Sequence, residues 1–236
     1  MPLEWFAAHE GPCLDVDYKD DLAVASGGMD KTVQLQTTAI TAAYQVFETG
    51  VSEGELLANG AQLLVASDDG QLALLNMANG TVIRAFEGAE QPVVAMTAAA
   101  DGSQLAAATA DNKLLFWTIN NGQLRTTFEL PESVTMLQFS ADNQKVAAIL
   151  ADSTIRVYDA GDEVRELYEL TSDQPVVSLL FQDDNRHLVT GHANGLVRQW
   201  LYASPDAVRT FTGHGSSIYG LAFNHDSKIF ASASLD

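Results

Sequence analysis

Short apolar runs rich in Val, Ile, Leu and aromatic residues alternate along the chain with clusters of Asn, Asp and Gly, and one stretch shows what they build. VVAMTA (93–98) leads to a turn around Asp101-Gly102, QLAAAT (104–109) to a turn at Asp111-Asn112, KLLFWTI (113–119) to a turn at Asn121-Gly122, and QLRTTFE (123–129) closes the set. Runs of this length bounded by turn residues read as strands joined by hairpins. Asn, Asp and Gly tolerate the positive φ that tight hairpins require. The pattern predicts a four-stranded antiparallel meander, with strands a, b, c and d in chain order. No comparable helical stripe with caps occurs, so the expected fold is all-β.

Two registers repeat through the 236 residues. Phe6, Phe47, Phe86, Phe128, Tyr168 and Phe211 form one, and the turn residues Asp30, Asp69, Asp111, Asp152, Asn194 and Asp236 the other, with separations of 39 to 43 residues. A period of this size marks a repeat architecture. The units fall approximately at 7–49, 50–88, 89–130, 131–170 and 171–213, with a partial unit at 214–236. One such sheet cannot cover both its faces, and radial stacking of four-stranded meanders gives a β-propeller. A β-sandwich also has regularly spaced strands, but it would not repeat a residue register. Strands a and b, such as VVSLLF (176–181) and VAAIL (146–150), are nearly all apolar and are expected to be buried on both faces near the axis. The d segments carry Arg84, Arg125, Arg165 and Arg209, which suits an exposed outer edge.

Residues 3–6, LEWF, read as a d-type strand of a preceding or closing blade, while the sixth unit reaches Asp236 without strands c and d. The expectation is a single propeller domain of about five complete four-stranded blades plus a partial sixth, read as a fragment of a longer propeller. Filling of the gap in trans is the alternative, since an open sheet edge invites pairing with another chain.

FTGHGSSIYGLAFNHDSKIFASASLD (211–236) resembles the GH-to-SxSxD half of a WD40 repeat, and SGGMDKTVQL (26–35), TADNKLLFW (109–117), LADSTIRVY (150–158) and HANGLVRQW (192–200) resemble its second half. The resemblance covers essentially the whole chain and implies a WD40-like propeller. It also implies a hydrogen-bonded brace within each blade: a His before strand a, a Ser or Thr in strand b, the b-to-c turn Asp and a Trp in strand c. Unit one offers His9, Ser26 and Asp30 but Gln36 for Trp, and unit two offers Asp69. Unit three has Asp111 and Trp117 but Ala89 and Ala107, and unit four has Asp152. Unit five has Thr190, Asn194 and Trp200 but no His for the brace, and unit six has His214, Ser232 and Asp236. No unit spells the full set, so packed apolar surface between blades is expected to carry most of the stability, at roughly 1.5–3 kcal/mol per fully buried Val, Leu or Ile.

Charge narrows the function. Against 12 Lys plus Arg stand 31 Asp plus Glu, a net charge of −19 and a pI near 4.3. Such a surface repels nucleic-acid phosphates and acidic lipids, so neither is an expected partner. The chain lacks the roughly 18 consecutive apolar residues of a membrane helix and the basic-then-apolar start of a secretory signal, which leads to the expectation of a soluble, cytoplasmic protein. The single cysteine, Cys13, excludes an internal disulfide framework and reads as a buried, inert thiol.

Nothing in the sequence proposes a reaction. His187 and His192 are five apart on one strand, hence on opposite faces, and cannot chelate one ion. GHGSS (213–217) has neither the order nor the strand-to-helix context of a nucleophile elbow. The recurrent aspartates read as turn formers, and Asn79-Gly80-Thr81, although spelled as a glycosylation sequon, reads as a hairpin turn. No glycine-rich phosphate loop leads into a helix, so no metal, nucleotide or other cofactor is expected.

The remaining candidate is a surface. In a meander the loops before strand a and between b and c share one rim. That rim would carry Glu10, Asp68, Glu87, Glu90, Glu129, Glu132, Glu169 and Asp173 beside the turn aspartates, against Lys31 and Lys113 alone. The opposite rim is acidic too, through Asp101, Asp142, Asp162, Asp183, Asp184 and Asp226. The reading is a non-catalytic scaffold that holds a protein or peptide partner of basic character on its loops. Its rivals are a propeller enzyme or small-molecule or metal binder using the central channel, and an accessory domain of a multidomain protein.

Overall fold

The computed structural model describes residues 9–10, 12–19, 23–37, 41–57, 60–204, 206–224 and 229–236. The LEWF segment and Asp226 lie outside them. Strands account for all the regular structure among the described residues. The first sheet contains β1 (Cys13–Lys19), β2 (Ala23–Gly28), β3 (Thr32–Thr37) and β4 (Thr41–Gln45). The second contains β5 (Val51–Leu56), β6 (Gln62–Ser67), β7 (Leu72–Asn76) and β8 (Val82–Phe86), and the third β9 (Val93–Ala98), β10 (Gln104–Thr109), β11 (Lys113–Thr118) and β12 (Gln123–Glu129). The fourth holds β13 (Val134–Phe139), β14 (Lys145–Leu150), β15 (Thr154–Asp159) and β16 (Arg165–Thr171), and the fifth β17 (Val176–Phe181), β18 (His187–His192), β19 (Val197–Leu201) and β20 (Ala207–Phe211). A two-stranded sheet of β21 (Ile218–Phe223) and β22 (Phe230–Ser234) follows. Every sheet is an antiparallel meander in chain order, and the first strand of each lies beside the first strand of the next. These are the blades of an all-β propeller.

Each b-to-c hairpin closes with the same geometry. Backbone N–H groups of Lys31, Gly70, Asn112, Ser153 and Gly195 donate to the carbonyls of Gly28, Ser67, Thr109, Leu150 and His192, and all five donors have positive φ, from 63° to 89°. A tight turn followed by a left-handed residue is a common way to join two strands across three residues. The residue before the left-handed one is the recurrent Asp or Asn. Its side-chain oxygen accepts the backbone N–H two residues on, from Thr32 at 3.1 Å, Thr154 at 2.9 Å and Leu196 at 3.2 Å.

The core lies between the sheets. Val33, Leu35, Val51 and Val65 join sheets one and two; Leu64, Leu72, Trp117 and Leu105 join two and three; Phe116, Leu114, Tyr158 and Val146 join three and four. Ile149, Val157, Leu188 and Trp200 join four and five, and Val189, Val197 and Ile218 join five and six. The first residue of strand a enters the face of the preceding blade, and a glycine makes room for it between blades one and two and between blades five and six. A Cβ on Gly27 would lie 2.7 Å from Val51 Cγ1, and one on Gly191 would lie 2.6 Å from Ile218 Cγ2. Hence Val51 and Ile218 are both fully buried.

Two expectations need correction. Strand b is buried as the apolar runs imply, with five consecutive buried residues in each of β6, β10, β14 and β18, but strand a is not buried on both faces. It forms the inner edge, so side chains such as Val94 (38% exposed) face away from the packed core. Cys13 is exposed rather than buried. It occupies the position of Val51 and Ile218, but among the described residues no preceding blade covers it. The d strands are largely exposed as expected, except that Arg84 and Arg125 are half-buried.

Candidate functional site

Backbone hydrogen bonds fix the rim that carries the candidate residues. In each complete blade the first b-to-c turn residue donates to the loop before strand a, as Asp68 N–H does to Gly50 at 3.0 Å, Ala110 to Pro92 at 2.8 Å and Ala193 to Pro175 at 3.0 Å. Loop and turn therefore form one unit, and acidic side chains placed on it are held at defined positions.

Behind the rim sit the polar braces. In blade one His9 Nδ1 lies 2.9 Å from Asp30 Oδ1, and Asp30 also receives the Thr32 hydroxyl at 2.7 Å and the Glu10 N–H at 2.9 Å. Burial alone would raise the Asp30 pKa, but the donors from Thr32, Glu10 and His9 outweigh it and hold the carboxyl at about 2. The side chain of Ser26 lies outside what the structure describes. In blade six His214 bridges Asp236, at 2.9 Å from Nδ1, and Ser232, at 3.0 Å from Nε2. The Gly215 N–H, ahead of the His214 contact, draws the Asp236 pKa below the usual carboxylate range.

Blade five corrects the statement that it has no brace histidine. Ser172 occupies the loop position of His9 and His214, four residues before strand a, and His192 at the end of β18 supplies the imidazole instead. Its Nε2 lies 2.8 Å from Thr190 Oγ1, which also accepts the Trp200 indole N–H at 2.8 Å. His192 is fully buried, and burial lowers its pKa. The available signal was that a His two residues after the strand-b Thr points to the same face. Asn194 stays a turn residue.

The other blades replace the brace. With Ala89 and Ala107 in place of His and Ser, the Trp117 indole donates to the Glu87 carbonyl at 2.8 Å, and Asp111 takes the Thr109 hydroxyl at 2.6 Å and the Lys113 ammonium at 2.8 Å. In blade two Asp69 takes the Ser67 hydroxyl, and buried Phe47 fills the histidine position. In blade four Leu130 fills it, Asp152 stays in its turn, and Tyr158 takes the Trp position against Phe116 and Phe128.

The eight rim carboxylates Glu10, Asp68, Glu87, Glu90, Glu129, Glu132, Glu169 and Asp173 are all exposed. Counting Lys31 and Lys113 as the only cations was incomplete, because strand-c arginines also reach the rim. Arg156 pairs with Glu169 and Glu166 at 3.0 Å each, and Arg198 pairs with Asp173. Six carboxylates, Glu10, Asp68, Glu87, Glu90, Glu129 and Glu132, have no ion pair among the described residues. On the opposite rim Asp184 pairs with His187 at 2.5 Å, Asp142 with Lys145 at 3.8 Å, and Asp101 takes the Ser103 hydroxyl at 2.5 Å. A polar cleft of about 440 Å³ between blades three and four is lined by Gln104, Thr118, Arg125, Gln144 and Asp162. The Arg125 guanidinium there is already bound to the carbonyls of Ala160, Gly161 and Asp162.

Stacked meanders with a hydrogen-bonded imidazole on a strand-b hydroxyl define a repeat propeller. Residues 164–200 and 205–236 match the WD40 family model, described as WD domain, G-beta repeat. The match identifies these two segments as WD40-like repeats. Each matched segment begins at the d strand of one blade and continues into the next, and the two contain the His192 and His214 braces. The match leaves out blades two and three and most of blade four, where apolar residues fill the histidine position or Ala stands in it, and also blade one, which has the His9–Asp30 brace. WD40 repeats generally mediate protein–protein interaction, and the family is typically non-catalytic.

Proposed function

We propose that this protein is a non-catalytic interaction scaffold that docks a basic protein or peptide segment on the rim formed by its b-to-c turns and the loops before strand a. The observation that carries the reading is the set of six exposed rim carboxylates without ion pairs among the described residues, Glu10, Asp68, Glu87, Glu90, Glu129 and Glu132, on loops fixed by backbone hydrogen bonds. Such a field accelerates the approach of a cationic surface and selects against acidic ones. Among the described residues His9, His192 and His214 are engaged in braces and His187 in an ion pair, which supports a structural role for them.

The test is capture from a mixture of basic and acidic proteins on the immobilised chain. Basic proteins should be retained selectively at about 0.05 M salt and released near 0.5 M, where the screening length falls to a few ångströms. Retention indifferent to salt, or equal retention of acidic proteins, would contradict the reading.

A further inference from the structure

The first residue of each b-to-c turn places one side chain on the rim: Met29 in blade one, Asp68 in blade two, and Ala110, Ala151 and Ala193 in blades three to five. Their N–H groups all donate to the loop before strand a, Met29 to Pro12 at 3.1 Å and Ala151 to Ser133 at 2.9 Å among them, which makes the positions equivalent. All of them are exposed, including those in blades flanked on both sides, so the exposure of Met29 (56%) belongs to the position. Alanine leaves the surface flat in three blades, whereas Met29 sets a long, unbranched thioether on an acidic rim.

Gly50, in the loop before β5, brings that thioether beside a carboxylate. A Cβ there would run into Asp68 Oδ2 and come within 3.5 Å of Met29 Cα, so the Asp68 side chain folds over the glycine toward Met29. The corresponding loop residues Pro92, Ser133 and Pro175 lie between Asp68 and Ala110, Ala110 and Ala151, and Ala151 and Ala193. None of those boundaries joins a long apolar side chain to an acid. Lys31, in the same turn as Met29, is exposed and forms no ion pair among the described residues, so it does not neutralise Asp68.

We propose that Met29, Gly50 and Asp68 form a seat for one lysine side chain of the docked segment, its methylene stem lying along the Met29 thioether and its ammonium donating to the Asp68 carboxylate. Lysine meets both demands, because it joins a flexible apolar stem to a compact charge. The thioether is itself flexible enough to follow the stem. The seat rests on the rim reading above and names the residue that the partner presents to it.

The probes are hexalysine and the diaminobutyrate hexamer, which carries the same charges on shorter stems, each titrated into the full chain labelled with carbon-13 at the methionine methyl groups. Hexalysine should shift the Met29 methyl resonance, which is identified by its loss in Met29→Ala. It should also bind at least about three-fold more tightly than the shorter-stemmed probe, through the apolar area it covers. Met29→Ala should erase that preference and still bind the shorter-stemmed probe. Asp68→Asn should weaken hexalysine about three-fold, the scale of one exposed ion pair, whereas Asp183→Asn on the opposite rim, an equal change in net charge, should not. An unmoved Met29 methyl, the same stem preference in Met29→Ala, or equal weakening by both charge variants would overturn the seat, and salt-sensitive binding would then leave the rim reading in place. Absence of salt-sensitive binding to the native chain would overturn the rim reading and the seat with it.

Discussion

The His192 imidazole stands 2.8 Å from the Thr190 hydroxyl two residues earlier on the same strand, and so performs in blade five the part that a loop histidine, His214, performs in blade six. The residue moved along the chain while the contact stayed. Because His192 is buried, its neutral form is favoured in the folded protein, whereas the unfolded chain takes up a proton near pH 6.5. Its contribution to stability is therefore complete above about pH 6.5 and declines as pH falls toward the lowered folded value. Thermal melts at pH 7.5 and 5.5 should show a loss in Tm that His192→Gln reduces. An unchanged pH slope in the variant would contradict this. Asp30 acts in the same direction at lower pH, its contribution present above about 4 and lost as pH falls through about 2.

Trp117 and Tyr158 occupy equivalent positions with opposite polar bookkeeping. The Trp117 indole is bonded to the Glu87 carbonyl, while the buried Tyr158 hydroxyl lies near Arg156 without a hydrogen bond, and burial raises its pKa to about 12. Trp117→Phe should destabilise by about 1–3 kcal/mol, since it removes volume and orphans an acceptor. Tyr158→Phe should be neutral or stabilising by up to about 1 kcal/mol. Chemical denaturation of the two variants checks the contrast.

Blade stacking predicts a second contrast between glycines. A Cβ on Gly191 would lie 2.6 Å and 2.8 Å from Ile218 atoms and close to Ser178 Oγ, whereas one on Gly220 meets only Ala233 Cβ at 3.6 Å. Gly191→Ala should cost about 1–3 kcal/mol from overpacking between blades five and six. Gly220→Ala should leave the melting temperature nearly unchanged. Equal effects would mean that the two blades do not approach as closely as described.

Arg125 ties blade three to blade four through the carbonyls of Ala160, Gly161 and Asp162 and is held within blade three by Gln104 Oε1 at 2.5 Å. Arg125→Met leaves those carbonyls without the guanidinium, and Arg125→Lys cannot reproduce its planar fork. Both should destabilise by about 1–3 kcal/mol and increase proteolytic nicking at 160–163. A lysine variant as stable as the native protein would contradict the clamp.

Much of the architecture was legible because alternation and turn chemistry are local. VVAMTA, QLAAAT and QLRTTFE coincide with β9, β10 and β12, and the position after each recurrent Asp or Asn is left-handed even where it is Lys31 or Ser153. What escaped the sequence was tertiary. Apolarity could not separate strand a, which forms the inner edge, from strand b, which is covered throughout. The exposure of Cys13 depends on which blade precedes it. His192 escaped because it left the loop position, and the pairs of Arg156 with Glu169 and of Arg198 with Asp173 because each depends on strand register and loop placement within its own blade. The rim acids themselves were visible, but their ion pairs with those arginines were not.

The most direct test of the scaffold reading compares the two rims. A basic peptide is titrated, at about 0.05 M and about 0.3 M salt, into the native chain, into Glu87→Lys/Glu90→Lys/Glu132→Lys, and into Asp101→Lys/Asp162→Lys/Asp183→Lys. The account expects salt-sensitive binding that the first triple variant loses and the second retains. Equal weakening by both variants, or loss only in the second, would show that the peptide responds to overall charge or to the other face, and the rim would have no claim as the docking surface.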